Sequence, residues 1–335
     1  MTSVNLVAFE NGVGNSRDLA IMRRVLESLG CNVSVTTVSP QVRRRRRSSF
    51  IGTIFNVRRW CGRGRTSSPG RFDLNVMMEH IWPEQLSSAR QNIVVPNPEW
   101  FDRADQRLLS HMDRVWSKTA HSFEVFSKLG CRTEIIGFDS EDRYDPTVPR
   151  QPSFFHLAGK SRMKGTGRLA QLWSLHPEWP MLTILHSRKA AFKLVAAPNI
   201  HYETRYLADA DLRELQNRHQ FHLCLSETEG WGHYIPEAMS VAAVVIATDA
   251  PPMQEMVSRS RGLLVSASPL SRQHLAVTYA FDDGSLERSV ESSLAMSASE
   301  RARLGDQSRE WFIENKRGFM LRVGCALEHL LSGST

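Results

Sequence analysis

Ser226-Glu227-Thr228-Glu229-Gly230-Trp231-Gly232-His233-Tyr234-Ile235-Pro236-Glu237-Ala238-Met239 follows an apolar run at 221–225 that reads as a buried strand. The two glycines let backbone come close to a ligand. A helix is expected from near Tyr234, because proline is tolerated in a first turn. Free N–H groups at such a start suit a phosphate. Glu229 and Glu237, eight positions apart, flank that start. Each carboxylate can accept from neighbouring hydroxyls, as a sugar presents them. Strand, glycine loop and helix in this order make one βα unit of a parallel sheet.

The same alternation extends to both sides. Downstream, 244–248 reads as a strand, 253–257 as a helix and 262–265 as a strand, with a helical tail from about Ser299. Upstream, strands are expected at 153–158, 181–186 and 199–206, with helices at 165–175 and 209–217. Residues 141–152 hold Pro146, Pro149 and Pro152 among charged residues and read as a linker. Before it stands a second series. A strand at 4–9 leads through Gly12 and Gly14 into a helix patterned by Leu19, Met22, Leu26 and Leu29. Strands at 31–38, 72–78, 92–96, 114–119 and 133–137 and a helix at 122–129 complete it. The expected fold class is α/β, with two Rossmann-like doubly wound domains facing a central cleft at their strand C-termini. The expected parts are an N-terminal domain at 1–140, the linker, a C-terminal domain at 153–305, and a helix at 306–335 returning to the first domain.

Composition sets limits. At 335 residues, with 41% hydrophobic and 23% charged residues, the chain has the make-up of a two-domain globular protein. Its longest apolar run, 241–247, is far short of the roughly 20 residues of a membrane span. No basic segment followed by an apolar core marks a signal peptide. Five scattered cysteines without C-x-x-C fit a reducing cytoplasm rather than a disulfide framework or a zinc site. Net charge is 42 − 35 = +7. Residues 41–71 supply Arg43, Arg44, Arg45, Arg46, Arg47, Arg58, Arg59, Arg63, Arg65 and Arg71 and no acid, so the rest of the chain sums to 7 − 10 = −3. One insert is basic, and it reads as an address for something anionic. Phe50, Ile51, Ile54, Phe55, Val57 and Trp60 beside the arginines suit peripheral attachment to an anionic membrane. The alternatives are nucleic acid, bound through its phosphates, and a solvated loop.

The segment 226–239 resembles the E-x7-E signature of retaining GT-B glycosyltransferases, the glycosyl transferases group 1 family. That pattern is close to S-x-x-E-G-F-G-x-x-x-x-E-A-M, followed by a strand and a small-residue loop with another Glu. Here the continuation is Val244-Val245-Ile246-Ala247-Thr248-Asp249-Ala250-Pro251-Pro252-Met253-Gln254-Glu255, and Trp231 stands where Phe is usual. A second match is Gly159-Lys160-Ser161-Arg162-Met163-Lys164-Gly165, against the family's G-R-(x4)-K-G with one residue fewer. The resemblance implies that Glu237 holds the ribose and that Glu229 holds the transferred sugar. It implies that Gly232, His233 and Tyr234 offer backbone N–H groups. Lys164, with Lys160 or Arg162, would neutralise the leaving diphosphate. In the first domain, Gly12 and Gly14 match a glycine-rich loop near donor phosphate and acceptor, and His80, preceded by Glu79, matches a histidine near the transferred sugar. Asn97, Glu99 and Trp100, in a Pro-Asn-Pro-Glu-Trp-Phe loop, are candidates for acceptor contact.

The resemblance implies a nucleoside-diphosphate sugar as co-substrate, no metal, and front-face attack in which the leaving phosphate helps to deprotonate the acceptor. Asp209-Ala210-Asp211 imitates a metal-binding D-x-D. It stands at an expected helix start, where Asp caps free N–H groups. The acceptor stays open: a membrane- or lipid-associated saccharide, or a hydroxylated DNA base. A catalytically silent nucleotide-sugar-binding protein is the reading outside enzymes.

Overall fold

The computed structural model describes residues 1–9, 14–38, 71–187 and 192–332. Gly12, Arg43, Arg44, Arg45, Arg46, Arg47, Arg58, Arg59, Arg63 and Arg65 lie outside the described residues. The chain divides into two units, one of Met1–Phe138 with Gly318–Thr335, the other of Asp139–Arg317.

The first unit is built on β1 (Ser3–Ala8), β2 (Asn32–Thr37), β3 (Phe72–Glu79), β4 (Ala89–Pro96), β5 (Arg114–Ser117) and β6 (Thr133–Ile135). All pair in parallel in the order β2-β1-β3-β4-β5-β6. Apolar side chains of β1, β3 and β4 are buried on both sides, as a sheet covered on two faces requires. The polar exceptions satisfy one another. Asn5, Asn75 and Asn92 stand in register on β1, β3 and β4. Asn5 Nδ2 donates to Asn75 Oδ1 (3.0 Å), and Asn75 Nδ2 to Asn92 Oδ1 (2.7 Å).

Helix α1 (Gly14–Ser28) buries Leu19, Ile21, Met22, Val25 and Leu26 along one face. The short α2 (Arg103–Gln106) is capped by Asp102, and α3 (Ala120–Lys128) by Thr119, whose Oγ1 accepts from Ser122 N. Strand order reverses once, between β1 and β3, so a crevice opens at their C-terminal ends.

In the second unit β7 (Gln151–Gly159), β8 (Leu182–His186), β9 (Ile200–Glu203), β10 (His219–Cys224), β11 (Val244–Asp249), β12 (Leu263–Gln273) and β13 (Ala276–Phe281) run in the order β13-β12-β11-β10-β7-β8-β9. Every pair is parallel except β12 with β13. Helices α4 (Thr166–Ser174), α5 (Asp209–Arg218), α6 (Tyr234–Ser240), α7 (Met253–Met256) and α8 (Asp283–Ala295) lie between or after the strands. Phe154 stacks on Phe221 (4.7 Å) and meets Trp173 edge-on (4.9 Å) at the centre of the core. The order reverses between β7 and β10.

Four expectations change. β12 is not a four-residue strand at 262–265; it continues to Gln273 and turns back antiparallel through β13. The second half of β12 is largely exposed and carries Ser, Arg and Gln, so no apolar run announces its extension, whereas β13 is a short run of apolar and β-branched residues with none exposed. Helix α8 was not expected. β9 is shorter than 199–206. The stretch 141–150, read as a linker, is held to the second unit. Arg143 N donates to Ser240 Oγ (3.0 Å), Asn217 Nδ2 to Arg143 O (2.7 Å), and Asp145 N to Asn217 Oδ1 (2.9 Å).

The tail is one helix, α9 (Ala298–Ser332). Its residues to Arg317 belong to the second unit, where a Cβ on Gly305 would meet Ala242 O at 2.3 Å. Its residues from Gly318 belong to the first, where Phe319 packs on Phe138 (5.2 Å) and Arg322 Nε donates to Ile136 O (2.8 Å).

Candidate functional site

In the second unit, the loops that follow the two strands flanking the reversal are joined. Glu227 N, beyond β10, donates to Met163 O, beyond β7 (2.8 Å). The close approach needs Gly165, which has φ +65°; a Cβ there would stand 2.7 Å from Leu225 O. Lys164 then reaches across, and its Nζ donates to Glu229 Oε1 (2.6 Å) while lying 3.2 Å from the Tyr234 ring centroid. Ser226 Oγ donates to the same Oε1 (2.6 Å) and shares a 2.5 Å contact with the Tyr234 hydroxyl. Burial holds the Tyr234 phenol well above its usual range, with the charge of Glu229 adding to it, so it stays a neutral O–H. Gly232, at φ +72°, leaves room for Glu229, whose Cγ would be 2.9 Å from a Cβ.

This arrangement brings a cation and a carboxylate to one strand-end crevice. Lys164 and Glu229 keep 11% and 16% of their side chains exposed, so both can reach an incoming ligand. Lys160 and Arg162 are exposed on the same loop, and it is Lys164 that meets Glu229. His233 Nδ1 is 2.8 Å from Ser140 Oγ, which also accepts from Trp231 Nε1 (3.0 Å).

Glu237 is the carboxylate that the resemblance gives to the ribose. It is fully enclosed in α6, and its Oε2 accepts from Gln216 Nε2 (3.1 Å). Burial alone would lower the Arg143 guanidinium, but the charges of Glu237, Asp209 and Glu141 raise it, so Arg143 stands as a cation facing that acid. Asp209 accepts from Arg143 Nη1 (2.6 Å) in the first turn of α5.

In the first unit, His80 follows β3 and is buried. Its Nδ1 lies 2.6 Å from Asp105 Oδ2, and its Nε2 lies 3.5 Å from Glu79 Oε2. Asn97 Oδ1 accepts from Lys118 Nζ (2.9 Å), and the same ammonium is paired with Asp18 and lies 4.5 Å from the Phe138 ring centroid. Glu99 is buried, whereas Trp100 is 40% exposed. Gly14 opens α1, and a Cβ there would meet nothing within 4 Å among the described residues, so none of them demands a glycine.

Sequence reasoning gave no role to Asp105, Lys118, Ser140 or Ser226. Only Ser226 had a local signal, three residues before Glu229. The others approach their partners through the fold, from 25 residues away for Asp105 and 93 for Ser140.

Elsewhere in the second unit, a concavity of about 480 Å³ is lined by Ser153, Thr183, His201, Glu203 and His219 among others. Its arginines are already paired, Arg205 with Glu203 and Arg218 with Glu214. Among the described residues, no group of three or more His, Cys, Asp or Glu is placed to hold a metal ion. No helix among them is long and apolar enough to cross a membrane.

No protein-family model matches the chain, and no curated protein matches it by sequence. Solved structures do match in fold. Sucrose-phosphate synthase from Thermosynechococcus elongatus superposes with a TM-score of 0.71 at 12% identity, covering 99% of this chain and 100% of that one. HepE of Anabaena, in complex with UDP and glucose, gives 0.66 at 14% identity over 98% and 100%. A glycosyltransferase from Rickettsia africae gives 0.67 at 11% identity over 98% of each chain. Likeness at this level of identity establishes the fold, and the fold shared is the two-domain GT-B architecture.

Proposed function

We propose that the protein is a glycosyltransferase that moves a sugar from a nucleoside-diphosphate sugar to an acceptor hydroxyl, with retained anomeric configuration. The observation that carries this reading is the Lys164–Glu229 pair at the reversal between β7 and β10, framed by Ser226, Gly232 and Tyr234. The ammonium answers a diphosphate and the carboxylate answers sugar hydroxyls. UDP, found with HepE, makes UDP-glucose the first donor to try.

In the reaction, the bond from the anomeric carbon to the diphosphate oxygen breaks and a bond to the acceptor oxygen forms on the same face. The acceptor proton passes to the leaving diphosphate. Charge builds on that diphosphate, and a fixed cation beside it lowers the barrier. No enzyme nucleophile is required. His80, in the first unit, is assigned to a hydroxyl of the transferred sugar. Asn97, Glu99 and Trp100 are assigned to the acceptor side. Glu237 is assigned to the ribose hydroxyls, which requires a side-chain movement that frees it from Gln216.

The ten arginines of residues 41–71 favour an anionic setting for the acceptor, a lipid-linked saccharide at a membrane surface. A duplex shift that is lost on neutralising Arg43 to Arg47 would favour nucleic acid instead.

The test is slow hydrolysis of the donor. Wild-type protein is expected to release glucose and UDP from UDP-glucose, and Glu229→Ala to release them at least tenfold more slowly. Tight UDP-glucose binding without turnover would favour a silent binding protein.

A further inference from the structure

We propose that Asp105 is a positioning residue that fixes the tautomer and aim of His80. This rests on the role of His80 proposed above. Both oxygens of the Asp105 carboxylate are used on neighbouring groups. Oδ2 faces His80 Nδ1 at 2.6 Å, and Oδ1 accepts from Ile81 N at 2.9 Å. A carboxylate only accepts, so Nδ1 carries a proton toward Asp105, and in the neutral ring Nε2 is then the nitrogen that keeps a lone pair. Asp105 is itself locked, being 2% exposed in a turn of helix whose cap, Asp102, accepts from Ala104 N and Asp105 N (2.8 and 3.1 Å).

The backbone beneath the ring is set with equal care. Met78 O accepts from His80 N at 2.7 Å around Glu79, whose φ is +64°. That is a tight three-residue turn of the strained hand on a residue other than glycine. Glu79 is kept there by Asn15, in the first turn of α1, whose Nδ2 donates to Glu79 Oε2 (2.5 Å). Among the described residues, His80 Nε2 is buried without a hydrogen-bond partner, with Glu79 Oε2 at 3.5 Å. The strain and the unused nitrogen occur together at the end of β3, beside the reversal of the first sheet. They leave Nε2 as an acceptor for one hydroxyl, and Asp105 is what keeps it one.

The experiment pairs a spectroscopic readout with a kinetic one. In ¹⁵N-labelled full-length protein, the His80 ring of wild type is expected as the Nδ1–H tautomer. Asp105→Asn keeps the shape but puts an N–H opposite Nδ1, and it is expected to invert the tautomer. The same variant is expected to lower kcat for UDP-glucose hydrolysis tenfold or more with KM within about twofold, and Asp105→Glu to recover part of the loss. An Nε2–H tautomer in wild type, or an inverted tautomer with unchanged kcat, overturns the proposal. If Asp105→Asn does not fold, the wild-type tautomer alone decides. If wild type shows no turnover, the transferase reading fails, and the tautomer measurement still decides the role of Asp105.

Discussion

Lys164 Nζ lies 2.6 Å from Glu229 Oε1 and 3.2 Å from the Tyr234 ring centroid, so its charge is held from two sides. A cation placed in advance need not reorganise when charge develops on a leaving group. Lys164→Ala is therefore expected to slow donor turnover about 100-fold, on the scale of about 3 kcal/mol for one electrostatic group. The fold should survive, because Ser226 still donates to Glu229. Steady-state hydrolysis checks the rate and circular dichroism the fold; a loss under threefold would remove Lys164 from the chemistry. Glu229 and Lys164 were legible in the sequence because each sits in a contiguous run of strand end, glycine and helix start. Asp105 was not legible. Its neighbours in sequence mark only a helix cap, and nothing in the spacing from His80 to Asp105 signals that the two meet. Glu237 was legible as a motif residue, but its enclosure by Gln216 was not, since Gln216 arrives on α5 from 21 residues upstream.

β7 and β10 carry three buried histidines whose chemistry belongs to the strands. His156 Nδ1 donates to Leu223 O (2.8 Å), and its Nε2 accepts from Thr166 Oγ1 (2.9 Å). Burial pushes His156 down to about 4, against the Leu223 bond and helped by the charge of Lys164. Burial likewise pushes His219 to about 4 and His222 to about 3. The unfolded chain takes up these protons near pH 6.5 and the folded strands do not. Stability should be level above about pH 7 and should fall as pH drops from about 6.5 toward 4. By linkage the loss is on the order of 2 kcal/mol per histidine at pH 5. Thermal unfolding followed from pH 7.5 to 5 checks this; a midpoint unchanged over that range would mean that the histidines are not held neutral. Most elements of both sheets were legible, because buried parallel strands are apolar runs separated by helical periods. The β12–β13 hairpin and α8 were not. The exposed half of β12 carries no such run, β13 carries one too short to tell strand from helix by periodicity, and α8 shows only a weak stripe, with Leu286 and Val290 among serines and charges.

Across the whole molecule, each sheet reverses its strand order once, β1 against β3 and β7 against β10. The chemistry-bearing side chains gather at those reversals: Glu79, His80 and Asp105 in one unit, Lys164, Ser226 and Glu229 in the other. Doubly wound sheets bind ligands at such places, and the reversals follow from which strand each crossover returns to, which no stretch of sequence displays. Binding to the folded state raises its stability by an amount set by affinity and concentration. The direct test is thermal unfolding in the presence of a panel of nucleoside diphosphates and their sugars, run in parallel on wild type, Lys164→Ala and Glu229→Ala. One nucleotide class should raise the wild-type midpoint in a concentration-dependent way, with most of the rise lost in Lys164→Ala and the sugar's added increment lost in Glu229→Ala. No shift with any nucleoside diphosphate or nucleotide sugar at millimolar concentration, or equal shifts in all three proteins, would contradict the account.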